Sequence, residues 1–350
     1  MGEPVASWTC DRGAVSVSSA GRGGPPPGAA PLQDPIFVAR KPEAEVRFRD
    51  RETGQIEKER IFLEGYLRFL YGGGPLRRLL VGLFLARGPA SHLWGVLRRS
   101  PRSRLRIAGF VSSLGIDAGE AERPLESYRS LDAFFARRLR PGARPIDRTP
   151  EHLVAPCDGR LLVAPRLEGV TLRVKGASLD AAELLGDGGL ARRFEGGTAF
   201  VIRLAPADYH RFHFPDGGMA SPPRRLGGPL HSVHLIAVEA GAPIFRNKRV
   251  VTTIRSDNFG EIAMVEVGAL LVGRIEETYI PGRVERGDEK GCFRFGGSTI
   301  VLLLEPGRIV CDDDLVRWSA LPSAEAPDRT PIETFVRLGT RLGKRPAAQS

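Results

Sequence analysis

From Leu153 onward the chain breaks into short apolar runs separated by Gly/Pro turns: Arg160–Val163, Val170–Val174, Thr198–Leu204, Val250–Ile254, Ile262–Val267, Leu270–Ile275 and Thr299–Leu304. Such runs, rich in Val, Ile and Leu and bounded by turn formers, are too short for helices and suit buried strands. With 42 glycines and 28 prolines in 350 residues, breakers recur too often for long helices. Few helices are expected within this part, Leu179–Leu185 being the foremost candidate. The pattern predicts an α+β chain with a β-rich core over 151–350, long enough to bury a real interior.

The upstream part has another texture. Residues 1–35, which include Gly21-Arg22-Gly23-Gly24-Pro25-Pro26-Pro27-Gly28, cannot bury enough apolar surface to offset ordering entropy and are expected to be a disordered tail. Ile36–Phe62 reads as a hairpin turning at Arg51-Glu52-Thr53-Gly54. Gly65–Ile116 contains no Asp or Glu; it has Arg68, Arg77, Arg78, Arg87, Arg98, Arg99, Arg102, Arg104 and Arg106, with Leu79–Leu85 and Leu93–Leu97 between them. Short helices of this kind fit a membrane surface, apolar face down and cations on anionic headgroups. They equally fit a helical layer on a soluble core with solvated arginines. Ser130–Phe135 reads as a further helix, closed by Pro141-Gly142. Residues 36–150 are thus expected to form a basic helical region, with a boundary near 145–152.

The net charge of +10 points to an anionic partner: nucleic acid, a membrane surface or an acidic substrate. Nucleic acid is the weaker candidate, because neither aromatic-interleaved strands nor a recognition helix is evident. No apolar run nears the ~20 residues needed to span a bilayer. The N-terminus lacks a signal-peptide pattern, so the protein is expected to be made and kept in the cytoplasm. Cys10, Cys157, Cys292 and Cys311 are scattered without metal or disulfide spacing.

Three places in the β-rich part could carry chemistry. The first is Asp158, in the turn Pro156-Cys157-Asp158-Gly159, where an ordinary turn former is the plain alternative. The second is Tyr209-His210-Arg211-Phe212-His213, with two of the six histidines. His-x-x-His can chelate, but no clear further ligands accompany it, and no metal is expected. The third is Gly296-Gly297-Ser298-Thr299, directly before an apolar run. Two glycines allow backbone conformations closed to other residues, so the Ser298 hydroxyl can fold back on the Gly297 carbonyl. Attack there replaces the peptide bond by an ester; elimination and hydrolysis then leave a pyruvoyl group at 298. An acid, a histidine and a serine also fit a serine hydrolase, yet the GxSxG elbow is absent around Ser298. No buried lysine is suggested that would offer Schiff-base chemistry instead.

The sequence resembles phosphatidylserine decarboxylase at these places and beyond them. Asp132–Ile146 resembles the segment leading into that family's core, Ala155–Gly159 its aspartate motif, and Tyr209–His213 its histidine motif. Asn258–Ile262 and Glu266–Ala269 resemble the strand pair before its processing site. Gly287–Gly291 followed by Phe295-Gly296-Gly297-Ser298-Thr299 matches its cleavage region in the GGST form rather than LGST. Pro331–Gly339 resembles its C-terminal tail, and the similarity spans roughly 45–343. Two departures stand out: Cys157 replaces a small residue, and His234 replaces the usual Asn. The latter would alter headgroup contacts if its loop lines the pocket.

The resemblance implies self-cleavage between Gly297 and Ser298, with Asp158 orienting His213 and His213 deprotonating Ser298. It implies a covalent pyruvoyl cofactor derived from Ser298, and two chains that stay associated. That group takes the amine of phosphatidylserine as a Schiff base and draws off the electrons left by CO₂, with His210 assisting decarboxylation or reprotonation. A homodimer bound peripherally to the cytoplasmic face of the cell membrane follows, with anionic lipid and not nucleic acid as partner. Two alternatives stay open: a pyruvoyl enzyme for a related aminophospholipid or a soluble amino acid, and a non-catalytic membrane-binding relative.

Overall fold

The structure is a computed structural model that describes residues 46–60, 65, 99–167, 171–174, 177–234, 237, 242–269, 274–294, 298–320 and 332–347. The expected tail, most of the Arg/Leu-rich segment (66–98) and Phe295–Gly297 lie outside the described residues.

In chain order, β1 (Arg47–Asp50) and β2 (Ile56–Lys58) form the expected hairpin across the turn at Arg51. β3 (His152–Val154) and β4 (Gly159–Ala164) flank the Asp158 turn, and β5 (Thr171–Val174) and β6 (Ala177–Asp180) pair with each other. Then come β7 (Thr198–Leu204), β8 (Arg211–His213), β9 (Gly218–Ala220) and β10 (Arg224–Leu226). β11 (Arg249–Ser256), β12 (Gly260–Val267), β13 (Ile275–Glu277), β14 (Gly282–Val284) and β15 (Glu289–Phe293) lead to β16 (Ser298–Leu304). β17 (Val310–Cys311), β18 (Glu333–Val336) and β19 (Arg341–Lys344) close the chain.

Among the described residues, one sheet of eleven strands runs β14-β9-β11-β12-β16-β7-β4-β18-β1-β2, with β10 also on β11. β13-β15-β8 and β17-β19-β3 form two smaller sheets. The core is therefore β-rich, as the runs predicted. The helix expected at Leu179–Leu185 occupies Ala181–Leu185, capped by the Asp180 carboxylate, which accepts from the amides of Ala182 and Glu183.

β16 is apolar throughout because both of its faces are covered. Ile300, Leu302 and Leu304 point to one side, into a core shared with Phe212 and Phe293 of the sheet β13-β15-β8 and with Phe214 just after β8. Val301 and Leu303 point to the other side, against Leu184, Leu185 and Phe194. Each such fully buried side chain stabilises the fold by about 1.5–3 kcal/mol.

The helix predicted at Ser130–Phe135 is present as Leu131–Phe135, with Ser130 Oγ accepting from the Ala133 amide at 3.2 Å. It packs on the helix Ile107–Leu114, whose buried Ile107, Phe110 and Leu114 meet Tyr128, Leu131, Phe134 and Phe135. The apolar face of that last piece of the Arg/Leu-rich segment thus lies against the protein's own helix. Among the described residues no helix is long and apolar enough to cross a membrane.

Candidate active site

Ser298 is the first residue of β16 and lies opposite Leu204 of β7. Strand alternation puts its side chain on the same face as Ile300. It is wholly buried, and among the described residues Oγ has no hydrogen-bond partner. An unpaired buried hydroxyl costs about 1–3 kcal/mol, so a core position without chemistry gains nothing from a serine here. Gly297, the other half of the expected cleavage bond, lies outside the described residues.

Asp158 reaches the same strand end from the other side of β7. The β4–β7 register pairs Arg160 with Arg203, so Gly159 stands one step further on, beside Leu204. Two strand spacings then separate the backbones of residues 159 and 298, roughly 10 Å. Gly159 has to be glycine, since a Cβ there would lie 2.7 Å from Ile202 Cγ2 and 2.9 Å from the Arg203 carbonyl oxygen. The Asp158 carboxylate is 2 % exposed. It accepts from Arg144 Nε at 2.9 and 3.0 Å, from Arg144 Nη2 at 2.7 Å and from the Leu338 amide at 2.8 Å. Arg144 also donates to both Glu120 oxygens, at 2.8 and 2.9 Å. Burial works to lower the Arg144 pKa, but these two carboxylates outweigh it and raise it. Asp158 is thereby fixed in the interior by a guanidinium and a backbone amide.

The two histidines sit on and just before β8. The His213 amide donates to the Pro156 carbonyl at 2.8 Å, tying β8 to the Asp158 turn. Its ring Nδ1 lies 2.9 Å from the Gly287 carbonyl oxygen. A carbonyl can only accept, so Nδ1 carries the hydrogen and Nε2 keeps its lone pair. That Nε2 is buried without a hydrogen-bond partner. Burial lowers the His213 pKa, which favours the neutral, basic ring. No hydrogen bond joins Asp158 to His213 among the described residues. The Gly287 carbonyl holds the ring, and Asp158 acts on it through charge, favouring the protonated form.

His210 is fully buried, with Nδ1 2.9 Å from the Asp208 carbonyl oxygen and its ring centroid 3.8 Å from that of Phe135. Its own carbonyl accepts from the Phe293 amide at 2.9 Å. The helix Leu131–Phe135 therefore backs the histidine strand, and β15 runs from that strand toward residue 298.

The fold brings Asp158, the histidine strand and Ser298 to one end of the central strands. Sequence reasoning missed the partners that hold them. Arg144 lay inside a matched segment without an assigned role, and nothing in its neighbours pointed to Asp158. The expectation of no buried lysine is corrected: Lys290 is fully buried, with Nζ 2.9 Å from Glu266 Oε1 and 2.8 Å from Glu277 Oε2. Burial alone would lower its pKa, but the two carboxyls raise it, so it is held as ammonium rather than as a nucleophilic amine. His234 is buried beside Glu59 and Arg203; burial lowers its pKa to about 4. Arg203 alternates with Ile202 and Leu204 along β7, so this neighbourhood lies on the opposite sheet face from Ser298. Among the described residues no three His, Cys, Asp or Glu side chains gather to hold a metal.

A family model for phosphatidylserine decarboxylase matches residues 131–322, a span that holds Asp158, both histidines and Ser298. The chain is 41% identical over 304 residues to the phosphatidylserine decarboxylase proenzyme of Chlamydia trachomatis serovar L2, covering 86% of this chain and 98% of that one. The chain belongs to the phosphatidylserine decarboxylase family. The proenzyme of Fusobacterium nucleatum is 37% identical over 301 residues, covering 85% of this chain and 97% of its own length. That of Ruminiclostridium cellulolyticum is 40% identical over 301 residues, with 85% and 97% covered. The name proenzyme, printed for all three relatives, implies that the family is processed.

Proposed function

We propose that this chain is a self-processing decarboxylase that converts phosphatidylserine to phosphatidylethanolamine and CO₂. The reading is supported by two atoms that are each buried without a hydrogen-bond partner among the described residues, Ser298 Oγ and His213 Nε2. His213 Nε2 takes the hydroxyl proton as Ser298 Oγ attacks the carbonyl carbon of Gly297. The amide nitrogen of residue 298 leaves with a proton, and an ester joins the two residues. Removal of the Ser298 α proton expels the Gly297 carboxylate; hydrolysis of the remaining enamine releases ammonia. Asp158, fixed by Arg144, stabilises the imidazolium that forms at His213.

The residues present fit a pyruvoyl group at 298, since Ser298 supplies its carbons. Once formed, that group supplies an electron sink for loss of CO₂ from an amine-bearing headgroup. To His210, whose Nδ1 lies 2.9 Å from the Asp208 carbonyl oxygen, we assign proton transfer at the substrate α carbon. The cleaved chains stay together because β16 lies between β12 and β7, and β18 between β1 and β4. The lipid substrate requires work at a membrane surface. The excess of cations supports peripheral binding at the anionic cytoplasmic face of the cell membrane, as a homodimer, weakened by high salt.

Mass spectrometry of the purified protein tests the reading. Two chains are expected, Met1–Gly297 and a smaller one beginning at 298 with a keto-bearing end, and Ser298→Ala stays one polypeptide. An active wild-type protein of intact 350-residue chains with unmodified Ser298 overturns it. Vesicle flotation separates a lipid substrate from a soluble amino acid.

A further inference from the structure

The face of the sheet that carries Ser298 also carries a buried carboxyl. In the β12–β16 register Val267 pairs with Thr299 and Glu266 with Ile300. Glu266 is therefore the diagonal neighbour of Ser298 on the same face, with backbones on the order of 7–8 Å apart. Its side chain has no exposure, and its Oε2 has no hydrogen-bond partner. The partner of its other oxygen, Lys290, comes from β15 by way of an irregularity. Glu289 pairs with His213 and Gly291 with Phe212, so Lys290 is the extra residue of a bulge. A bulge re-aims its side chain, here into the interior beneath the rings of Tyr279 and Phe212, 5.2 and 5.4 Å from Nζ. Gly291 permits this approach, since a Cβ there would lie 2.2 Å from the Glu276 carbonyl oxygen.

Stability does not call for charges here. Burying an ion pair costs nearly as much as its attraction returns, and apolar side chains of similar volume hold two sheets together as well or better. The Lys290–Glu266 contact does something apolar packing cannot. It gives a directional link between the strand pair bearing His213 and the strand beside Ser298, at the bulge that opposes His213 itself.

We propose that Glu266 and Lys290 are positioning residues for self-cleavage, their contact setting the approach of the histidine strand to Ser298. This rests on the reading of Ser298 as the cleavage nucleophile. The groups facing Glu266 are Lys290 from β15, Glu277 from β13 and Tyr279 just after it; β16, β11 and β8 present Ile300, Val250 and Phe212. Two carboxyls thus share one ammonium. Burial disfavours the surplus negative charge and pushes Glu266 up to about 8 against the pull of Lys290. Near neutrality the cluster carries no net charge. As pH rises through that value Glu266 ionises, which places an uncompensated negative charge on the sheet face of Ser298 and opposes loss of the Ser298 hydroxyl proton.

Cell-free synthesis followed by denaturing gels gives the rate at which the full chain becomes two, for wild type, Ser298→Ala, Glu266→Gln and the double variant Glu266→Leu/Lys290→Met. The double variant is expected to fold, by its circular dichroism melt, yet cleave at least ~10-fold more slowly. The wild-type rate should fall above about pH 8, and Glu266→Gln should lack that fall. A folded double variant that cleaves at the wild-type rate overturns the proposal. So does a Glu266→Gln profile that keeps the alkaline limb, and this arm decides alone if the double variant does not fold. An uncut wild-type chain, indistinguishable from Ser298→Ala, refutes the cleavage reading instead.

Discussion

The two faces of the central sheet each bury a group of charges close to residue 298, and the two groups are finished differently. On the face away from Ser298, Arg203 donates to both Glu59 oxygens at 2.9 and 2.8 Å and to both Glu333 oxygens at 3.2 and 2.6 Å. Arg160 joins Glu59 and Asp208 there. A planar guanidinium can satisfy two carboxylates at once. Burial works to raise the Glu59 pKa, but Arg203 and Arg160 outweigh it and hold Glu59 well below the usual carboxylate range. On the face of Ser298, a single ammonium serves Glu266 and Glu277, and Glu266 is driven the other way. In the first cluster the whole Arg203 fork is engaged by two carboxylates, although Arg160 Nε has no hydrogen-bond partner among the described residues; in the second, Glu266 Oε2 has none, on the face that carries Ser298. A guanidinium divided between two carboxylates ties strands together, whereas one ammonium between two carboxyls leaves a proton to be placed.

The largest test of this contrast removes each cation in turn. Arg203→Met leaves Glu59 and Glu333 buried without their main partner and should cost about 3–5 kcal/mol in urea unfolding. Lys290→Met should cost less, because Glu266 already sheds its charge; equal losses would erase the distinction. Next in size, Arg144→Ala should free the Asp158 carboxylate and slow self-cleavage on the order of 100-fold in a cell-free chase, while leaving both clusters intact. A chase at the wild-type rate would detach Asp158 from the chemistry.

The acid limb of the cleavage rate comes third. Burial lowers the His213 pKa from 6.5, so its ring stays neutral and basic below that value. The rate should hold through pH 6.5 and fall only at lower pH; a midpoint above 6.5 contradicts the burial. The smallest effect is on stability, where the two faces should slope oppositely. Glu59 is lowered on folding, so its contribution is present above its unfolded value of 4.5 and is lost as pH falls below it. Glu266 is raised, so its contribution is present below 4.5 and is lost as pH climbs through about 8. Urea midpoints across pH should flatten on the acid side in Glu59→Gln and on the alkaline side in Glu266→Gln.

Much of this was legible in the residues. β7, β12 and β16 announced themselves because both of their faces are covered, which leaves uninterrupted apolar runs. The Arg51 turn and the Ser130 cap declared themselves through local chemistry that needs no distant partner. Asp158, His213 and Ser298 were found as residue types able to do one job together. What escaped reading depends on contacts distant in sequence. No local pattern says that Arg144 grips Asp158, or that Gly287 rather than a carboxylate holds the His213 ring. Nothing in its neighbours marked Lys290 as buried, and only the one-residue bulge turns it inward. Strand order escaped too: β18 slots in parallel beside β1 and antiparallel beside β4.

That last placement bears on timing. The segment after residue 297 contributes β16 to the middle of the main sheet and β18 to a second interior slot, so a nascent chain that stops short of them has two gaps where strands belong. The main sheet cannot be completed around Ser298 until the ribosome has delivered nearly the whole polypeptide. Under the proposed self-cleavage, synthesis order acts as a safety catch: attack on the bond waits for a molecule assembled well enough to survive being cut.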